Sequence, residues 1–120
     1  MQVSHGREVG FSRSGNMMYV KVSGKQGGKI YLYNTINNYE LLEVLSSNKP
    51  IESVRFSTFD NIIYGIHQGG YYTWSLDSLF KQRMENTLEI PFVIKGGDIY
   101  LGNLMLWGEN DIMLFDQSDY

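Results

Sequence analysis

The chain has 120 residues, of which 42% are hydrophobic and 14% aromatic, so it can bury the core of one small domain. Its net charge is −3 and its basic residues are scattered among acids, which argues against binding to nucleic acid. Cysteine is absent, which excludes disulfides, thiolate metal sites and a cysteine nucleophile. The sequence carries neither a secretion signal pattern nor an apolar run of ~18 residues, so we expect a cytoplasmic chain that does not bind membranes.

The N-terminal third of the sequence predicts four short strands. The first two are rich in β-branched, Met and aromatic residues, and the turn Arg13-Ser14-Gly15-Asn16 between them suits a tight hairpin. Glycine-rich and asparagine-rich segments precede the third and fourth strands. The four strands predict one antiparallel sheet over about residues 7–45, with strands at residues 7–12, 17–22, 29–33 and 39–45.

A second unit over about residues 51–88 repeats this order. Strands are predicted at 51–57, 62–66 and 71–76, with a Gly-Gly turn before the third. Residues 77–88 leave two alternatives open. Leu76, Phe80, Met84 and Leu88 have the i+4 spacing of an amphipathic helix, whereas the repeat requires a loop and a strand, which we favour.

A third unit is predicted over about residues 90–116. Its first strand is either 92–94 or 99–101, and strands at 103–107 and 112–115 follow. A fourth strand is missing. We therefore expect the sheet that contains residues 112–115 to be completed by another segment or subunit, and the isolated chain to be poorly soluble or to self-associate.

The three units form an internal repeat. Tyr33, Trp74 and Phe115 stand 41 positions apart, and each ends a short apolar-aromatic run. Phe11 and Phe56 share a further block, displaced by 45 positions. A period of about 40 to 45 residues that carries short strands is typical of propeller blades. The predicted core of the repeat is Phe11, Tyr33, Phe56, Trp74 and Phe115.

An asparagine followed by hydrophobic residues marks a second point of the repeat. Asn16, Asn61 and Asn103 precede the runs Met-Met-Tyr, Ile-Ile-Tyr and Leu-Met-Leu. We expect the three asparagines to occupy equivalent places.

These blocks resemble the WD-repeat family. Phe115-Asp116 is similar to the family's Trp-Asp dipeptide, while Trp74-Ser75 and Tyr33-Asn34 keep the aromatic residue and lose the acid. The family's Gly-His dipeptide is absent, so the blades are degenerate and must cohere through apolar packing. The resemblance implies an all-β chain of about three four-stranded antiparallel blades of a WD40-like β-propeller.

About three blades make an incomplete ring, because closed propellers hold ~4 to 8. The expected partners are the remaining propeller blades or other protein subunits. Residues 70–76, together with the segment from Arg7 to Asn16, are similar to WD-repeat proteins associated with cilia and flagella. That narrower resemblance implies a cilium or axoneme as the setting.

The sequence offers no catalytic constellation. His5 and His67 lack a second ligand at useful spacing, and the glycine-rich segment 24–29 lacks the Gly-Lys-Ser/Thr ending of a phosphate loop. We expect no catalytic residues, no metal and no cofactor, and a non-enzymatic protein-interaction scaffold. The loops at 24–28, 46–50 and 67–70 should face the partner. The candidate binding residues are Lys25, Asn48, Lys49, Pro50, His67 and Gln68.

The alternative function is a carbohydrate-binding propeller lectin assembled from several short chains. Tyr71, Tyr72 and Trp74 form the densest aromatic group in the sequence, and sugars stack on exposed rings. The position of Trp74 in the repeat argues instead that it belongs to the core.

Overall fold

A computed structural model describes residues 7–116 of the chain, so His5 lies outside the described residues. Eleven β-strands and one short 3-10 turn make up this part of the molecule. The first four strands are β1 (Glu8–Phe11), β2 (Met17–Gly24), β3 (Gly27–Asn34) and β4 (Glu40–Ser47). The next four are β5 (Ser53–Phe56), β6 (Ile62–His67), β7 (Gly70–Ser75) and β8 (Arg83–Thr87). The last three are β9 (Gly96–Tyr100), β10 (Asn103–Trp107) and β11 (Ile112–Asp116).

The strands form three separate antiparallel sheets in which chain neighbours are hydrogen-bonded neighbours. The first sheet has the order β1-β2-β3-β4, the second β5-β6-β7-β8, and the third β9-β10-β11. The chain is therefore all-β, and its three antiparallel sheets, of four, four and three strands, form an open arc, as the sequence predicted. No helix among residues 7–116 is long and apolar enough to cross a membrane.

The pairing registers place the three repeat aromatics at one equivalent position. Tyr33 pairs with Met18, Trp74 with Ile63, and Phe115 with Leu104, each on the third strand of its sheet. The same position on the first strands is held by Phe11, Phe56 and Ile99. The sequence period of 41 residues thus reports a true structural repeat.

The asparagine blocks were aligned wrongly in the third unit. Asn16 and Asn61 lie two residues before Met18 and Ile63, but Asn103 lies one residue before Leu104. The cause is the third unit's shorter first hairpin. Leu101 and Gly102 form a two-residue turn with φ of 49° and 80°, the conformation that favours tight hairpins.

Two ambiguous segments of the sequence are settled by the structure. Residues 76–78 form a single 3-10 turn, and β8 follows it, so loop plus strand is confirmed over an amphipathic helix. The first strand of the third sheet is β9, which contains Ile99 but starts earlier than residues 99–101, and 92–94 is not a strand. The long connection is held down by Ile94, which is buried in a core.

Each sheet has two faces, because successive side chains of a strand point to opposite sides. We call the side of Phe11, Phe56 and Ile99 the leading face, and the opposite side, with Tyr19 and Tyr64, the trailing face. The trailing face of one sheet packs on the leading face of the next. Tyr19 lies 6.0 Å from Phe56 between ring centroids.

Two hydrophobic cores fill the spaces between the sheets. The first core joins sheets one and two, and its members include Tyr19, Leu32, Phe56, Ile63 and Trp74. The second core joins sheets two and three, and its members include Tyr64, Ile66, Ile99, Leu104 and Leu106. The side chains that hold adjacent sheets together are therefore apolar and aromatic, as the degenerate repeat implied.

The five aromatics predicted for the repeat core fall in different surroundings. Phe56 and Trp74 are buried in the first core, and Phe115 packs at the border of the second. Tyr33 and Phe11 lie on the leading face of the first sheet, and Phe11 is 57% exposed. Phe11 lacks the predicted burial because, within residues 7–116, no sheet lies on that face.

Hydrogen bonds between two hairpin turns also join the first two sheets. The carboxylate of Asp60 accepts hydrogen bonds from the backbone N–H groups of Arg13 and Ser14, both at 2.9 Å. The Arg13 guanidinium donates to the carbonyl of Phe56 and reaches the carbonyl of Ile99 in the third sheet. One arginine therefore contacts all three sheets.

We expect Asp60→Asn to lower the free energy of unfolding by about 1 to 3 kcal/mol, because two donors lose a charged acceptor. Asparagine tolerates the left-handed backbone at this position, where φ is 60°. The substitution therefore tests the loss of the carboxylate without adding backbone strain. Urea unfolding measures the effect. Asp111→Asn, at an exposed turn residue, is the control and should be nearly neutral. Equal losses in the free energy of unfolding would show that the Asp60 carboxylate does not stabilise the contact between the two turns.

Candidate functional site

Three loops of the first two sheets meet at one end of the molecule. They are the β2–β3 turn, the connection from β4 to β5 and the β6–β7 turn. The backbone N–H of Ile51 donates to the hydroxyl of Ser23 at 2.8 Å, and that of Gly28 donates to Ser47 at 3.1 Å. We call residues 24–28, 46–50 and 67–70 the loop end. These bonds join the β2–β3 hairpin to the β4–β5 connection, and the backbone N–H of Glu52 donates to the carbonyl of Ile66 at 2.6 Å, next to the β6–β7 turn.

The candidate binding residues take up different positions in the loop end. Lys25, Asn48 and Lys49 are exposed, and Pro50 is half-buried. The ammonium of Lys49 lies 2.9 Å from the carboxylate of Glu85 on β8, so its direction is fixed. Lys25 and Asn48 are the members whose side chains are available to a partner.

His67 lies beneath this surface rather than on it. Its side chain is fully buried, and its ring lies 4.6 Å from that of Tyr72. Nδ1 accepts a hydrogen bond from the N–H of Gly69 at 3.1 Å, which leaves the proton on Nε2. Nε2 is 3.5 Å from the Glu85 carboxylate, too far for a good hydrogen bond. A partner of the loop end therefore does not touch His67 directly.

Burial lowers the pKa of His67 below its ordinary value. The Lys49 ammonium lowers this pKa further, and the Glu85 carboxylate opposes both effects. The Glu85 pKa is itself lowered by its hydrogen bond to Lys49. His67 is thus a neutral, structural side chain at neutral pH.

The lowered pKa of His67 predicts a stability that depends on pH. The unfolded chain takes up this proton near the ordinary value of 6.5, before the folded chain does. The contribution to the free energy of unfolding is therefore complete above that pH and is lost as the pH falls toward the folded-state pKa. Urea midpoints between about pH 8 and pH 5 should fall less in His67→Gln than in the unchanged chain. If the urea midpoints of the two proteins fall equally with pH, the lowered pKa of His67 is wrong.

Gln68 is exposed, but both polar atoms of its side chain are bonded within the fold. Its side-chain oxygen accepts from the backbone N–H of Ile94, and its side-chain nitrogen donates to the carbonyl of the same residue, both at 2.8 Å. This pair of bonds ties the β6–β7 turn to the connection that enters the third sheet. Both polar atoms of Gln68 already have partners, so it has less to offer a ligand than Lys25 or Asn48.

The aromatic group that suggested sugar stacking is buried. Tyr71, Tyr72 and Trp74 are 5%, 1% and 2% exposed. The ring of Tyr72 lies between Trp74, at 5.9 Å, and the Arg83 guanidinium, at 4.8 Å. No ring of the three is available as a flat platform for a sugar.

Two residues that hold the loop end in place were not identified from the sequence. Glu85 orients Lys49, and Arg83 donates to the carbonyl of Ser46 at 2.8 Å. Both lie on β8, the strand whose assignment the sequence left open. A firm strand at residues 83–87 would have placed Glu85 opposite Tyr72 and Arg83 opposite Trp74 on β7. Within residues 7–116, no three His, Asp or Glu side chains are grouped to hold a metal ion.

Comparison with known proteins identifies the fold. No protein-family model and no curated protein matches this sequence. Among solved structures, the chain is similar to the β-propeller domain of Myceliophteria thermophila Cps50 (Swd1), with a TM-score of 0.71 at 17% identity. The match covers 99% of this chain and 38% of that one. The chain thus has the fold of part of a β-propeller and spans well under half of that longer structure.

Proposed function

We propose that this chain is a non-enzymatic scaffold, a propeller segment that binds other proteins within a larger assembly. The observation that carries the proposal is the loop end. Hydrogen bonds tie the β2–β3 hairpin to the β4–β5 connection and this connection to the second sheet, and exposed Lys25 and Asn48 lie on this base. A preformed surface binds at a lower entropic cost than mobile loops do.

The charges of the loop end indicate the chemistry of its partner. Lys25 and Lys29 are exposed on or beside the β2–β3 hairpin, and Lys49 is exposed in the β4–β5 connection. Glu85 offsets only the Lys49 charge. A protein segment with acidic side chains matches the remaining positive charge and would associate faster at low salt.

A ciliary or axonemal setting is a narrower form of the proposal. It is supported by the sequence of residues 70–76 and of the segment from Arg7 to Asn16. Localisation of a fluorescently tagged chain in ciliated cells tests it. Enrichment along the axoneme supports the setting, and an even distribution through the cytoplasm counts against it.

Site-specific photo-crosslinking tests the scaffold function. A photoreactive amino acid replaces Lys25 or Asn48 at the loop end, or Phe59 in the β5–β6 turn at the opposite end. Phe59 is 85% exposed, so it is a matched control for accessibility. We expect crosslinks from positions 25 and 48 to one protein with an acidic segment, and not from position 59. Equal capture at both ends would contradict a role for the loop end.

A further inference from the structure

Most of the leading face of the first sheet is apolar, and nothing within residues 7–116 covers it. Lys29 and Ser46 lie at the edge of this face. Cross-strand pairing arranges its side chains in two rows, each of which runs over all four strands. One row is Val9, Val20, Tyr31 and Val44, and the other is Phe11, Met18, Tyr33 and Leu41.

The equivalent face of the second sheet shows what such a surface does in this fold. Val9 corresponds to Val54, and Phe11 to Phe56. Val54 and Phe56 are 1% and 4% exposed because the first sheet lies on them, whereas Val9 and Phe11 are each 57% exposed. The leading face of the first sheet therefore has the composition of a sheet-to-sheet interface.

The trailing face of the third sheet is also uncovered. Ile112 and Leu114 are 67% and 69% exposed. Their counterparts in the first sheet, Ile30 and Leu32, are both 0% exposed within the first core. The other apolar members of this face are Tyr100, Met105 and Trp107.

One uncovered face is a leading face and the other is a trailing face. Each is therefore the kind of face on which the other kind packs within this chain. Wherever sheets meet in this chain, a trailing face packs on a leading face. At the first junction, Tyr19 of the trailing face contacts Phe56 of the leading face. Met105 occupies the place of Tyr19, and Phe11 the place of Phe56. A sheet-to-sheet contact made by the two free faces would therefore join Met105 to Phe11.

The charges at the rims of these faces also match. At the first junction, Glu43 of the first sheet lies 3.2 Å from Lys81 of the second. At the same end of the molecule as the loop end, the turn of the third sheet carries exposed Glu109 and Asp111, while the leading face of the first sheet carries exposed Lys29. At this end of the molecule, the rim of the third sheet is therefore acidic and the rim of the first sheet is basic.

We propose that a second copy of this chain occupies these faces. The third sheet of each copy packs on the first sheet of the other, head to tail. Two copies of three sheets make a ring of six, within the range of ~4 to 8 that closed propellers use. A head-to-tail contact that closes on itself gives a finite assembly with two identical interfaces.

The mass in solution is the first test. Light scattering should give twice the 13.8 kDa of one chain over a range of micromolar concentrations. Phe11→Asp and Leu114→Asp should each give monomers when alone, since each spoils one face. Mixed together, they should form a dimer again, because one pair of intact faces remains. A contact between two leading faces would instead leave Leu114→Asp dimeric on its own, and that result would overturn the proposal.

Crosslinking reports the contact itself and does not depend on a destabilising change. One copy carries Phe11→Cys and the other Met105→Cys, in a chain that has no other cysteine. A short bismaleimide should link the two copies. Ile36→Cys and Val93→Cys, at residues 75% and 64% exposed outside these faces, form the control pair and should not link.

The outcomes separate the candidate occupants. A dimer in which position 11 crosslinks to position 105 supports the second copy. A monomer with a cooperative melt, a dimer without this crosslink, or an open series of larger species would each overturn it. A monomer that instead binds a separate blade-like sheet through Phe11 would assign the faces to another polypeptide.

Discussion

Replacing Phe56 by alanine should lower the free energy of unfolding by about 3 to 5 kcal/mol. Phe56 is 4% exposed and lies between the first and second sheets, where it meets the ring of Tyr19. The substitution leaves a cavity that two paired sheets cannot collapse to fill, because their backbones are held by hydrogen bonds. Since a domain of this size is stable by only ~5 to 15 kcal/mol, much of the stability should be lost. Chemical denaturation measures it.

Phe11→Ala is the matched control, at the same position of the repeat. Phe11 is 57% exposed, so its loss in dilute protein should cost no more than about 0.5 kcal/mol. The two substitutions remove the same atoms and differ only in whether a sheet lies on the ring. Equal losses would mean that the leading face of the first sheet is covered by this chain, or that Phe56 is not.

Gly70→Ala should cost about 3 kcal/mol and detach β8 from the second sheet. Gly70 begins β7 with φ of 148°, where an L side chain is strained. A methyl group there would lie 2.0 Å from the carbonyl oxygen of Asn86 on the neighbouring strand. This contact is with backbone, so relief requires β7 and β8 to move apart. Hydrogen exchange of β8 amides should rise together with the loss of stability.

Gly24→Ala is the comparison for this effect. Gly24 lies in the other long hairpin and has no positive φ, and a methyl group added there would meet no atom within 4 Å. We expect a change of about 0.5 kcal/mol or less. If the two substitutions cost the same free energy of unfolding, β7 and β8 do not lie as close together at Gly70 as described.

Much of the fold could be predicted from the sequence, because the strand order of a clear repeat indicates the structure of an unclear segment in another repeat. Residues 77–88 read alone suit a helix, yet the place of Trp74 in the repeat required a strand after it, and β8 is that strand. The turns before β2 and β7 were identified from glycine and asparagine, which tolerate left-handed backbone. The third repeat was the least certain, since its first hairpin is shortened at Leu101 and Gly102.

The loop end was only partly accessible from the sequence. Its loops were placed at one end from the resemblance to WD-repeat blades, but the contacts that fix them join residues far apart in the chain. Lys49 and Glu85 are separated by 36 positions, and Gln68 and Ile94 by 26. Spacing along a strand says nothing about such pairs. For the same reason, His67 looked like a turn residue, whereas it is buried under Tyr72 and Glu85.

The stacking of the three sheets in chain order is the claim on which the function and the assembly both depend. Proton NMR tests it directly through contacts between side chains of different sheets. We expect nuclear Overhauser effects between the rings of Tyr19 and Phe56 at the first junction, and between the δ-methyl of Ile66 and the α-protons of Gly97 at the second. Both contacts in one sample would establish the arc. Loss of either contact in a chain that keeps its strand pairings would contradict it.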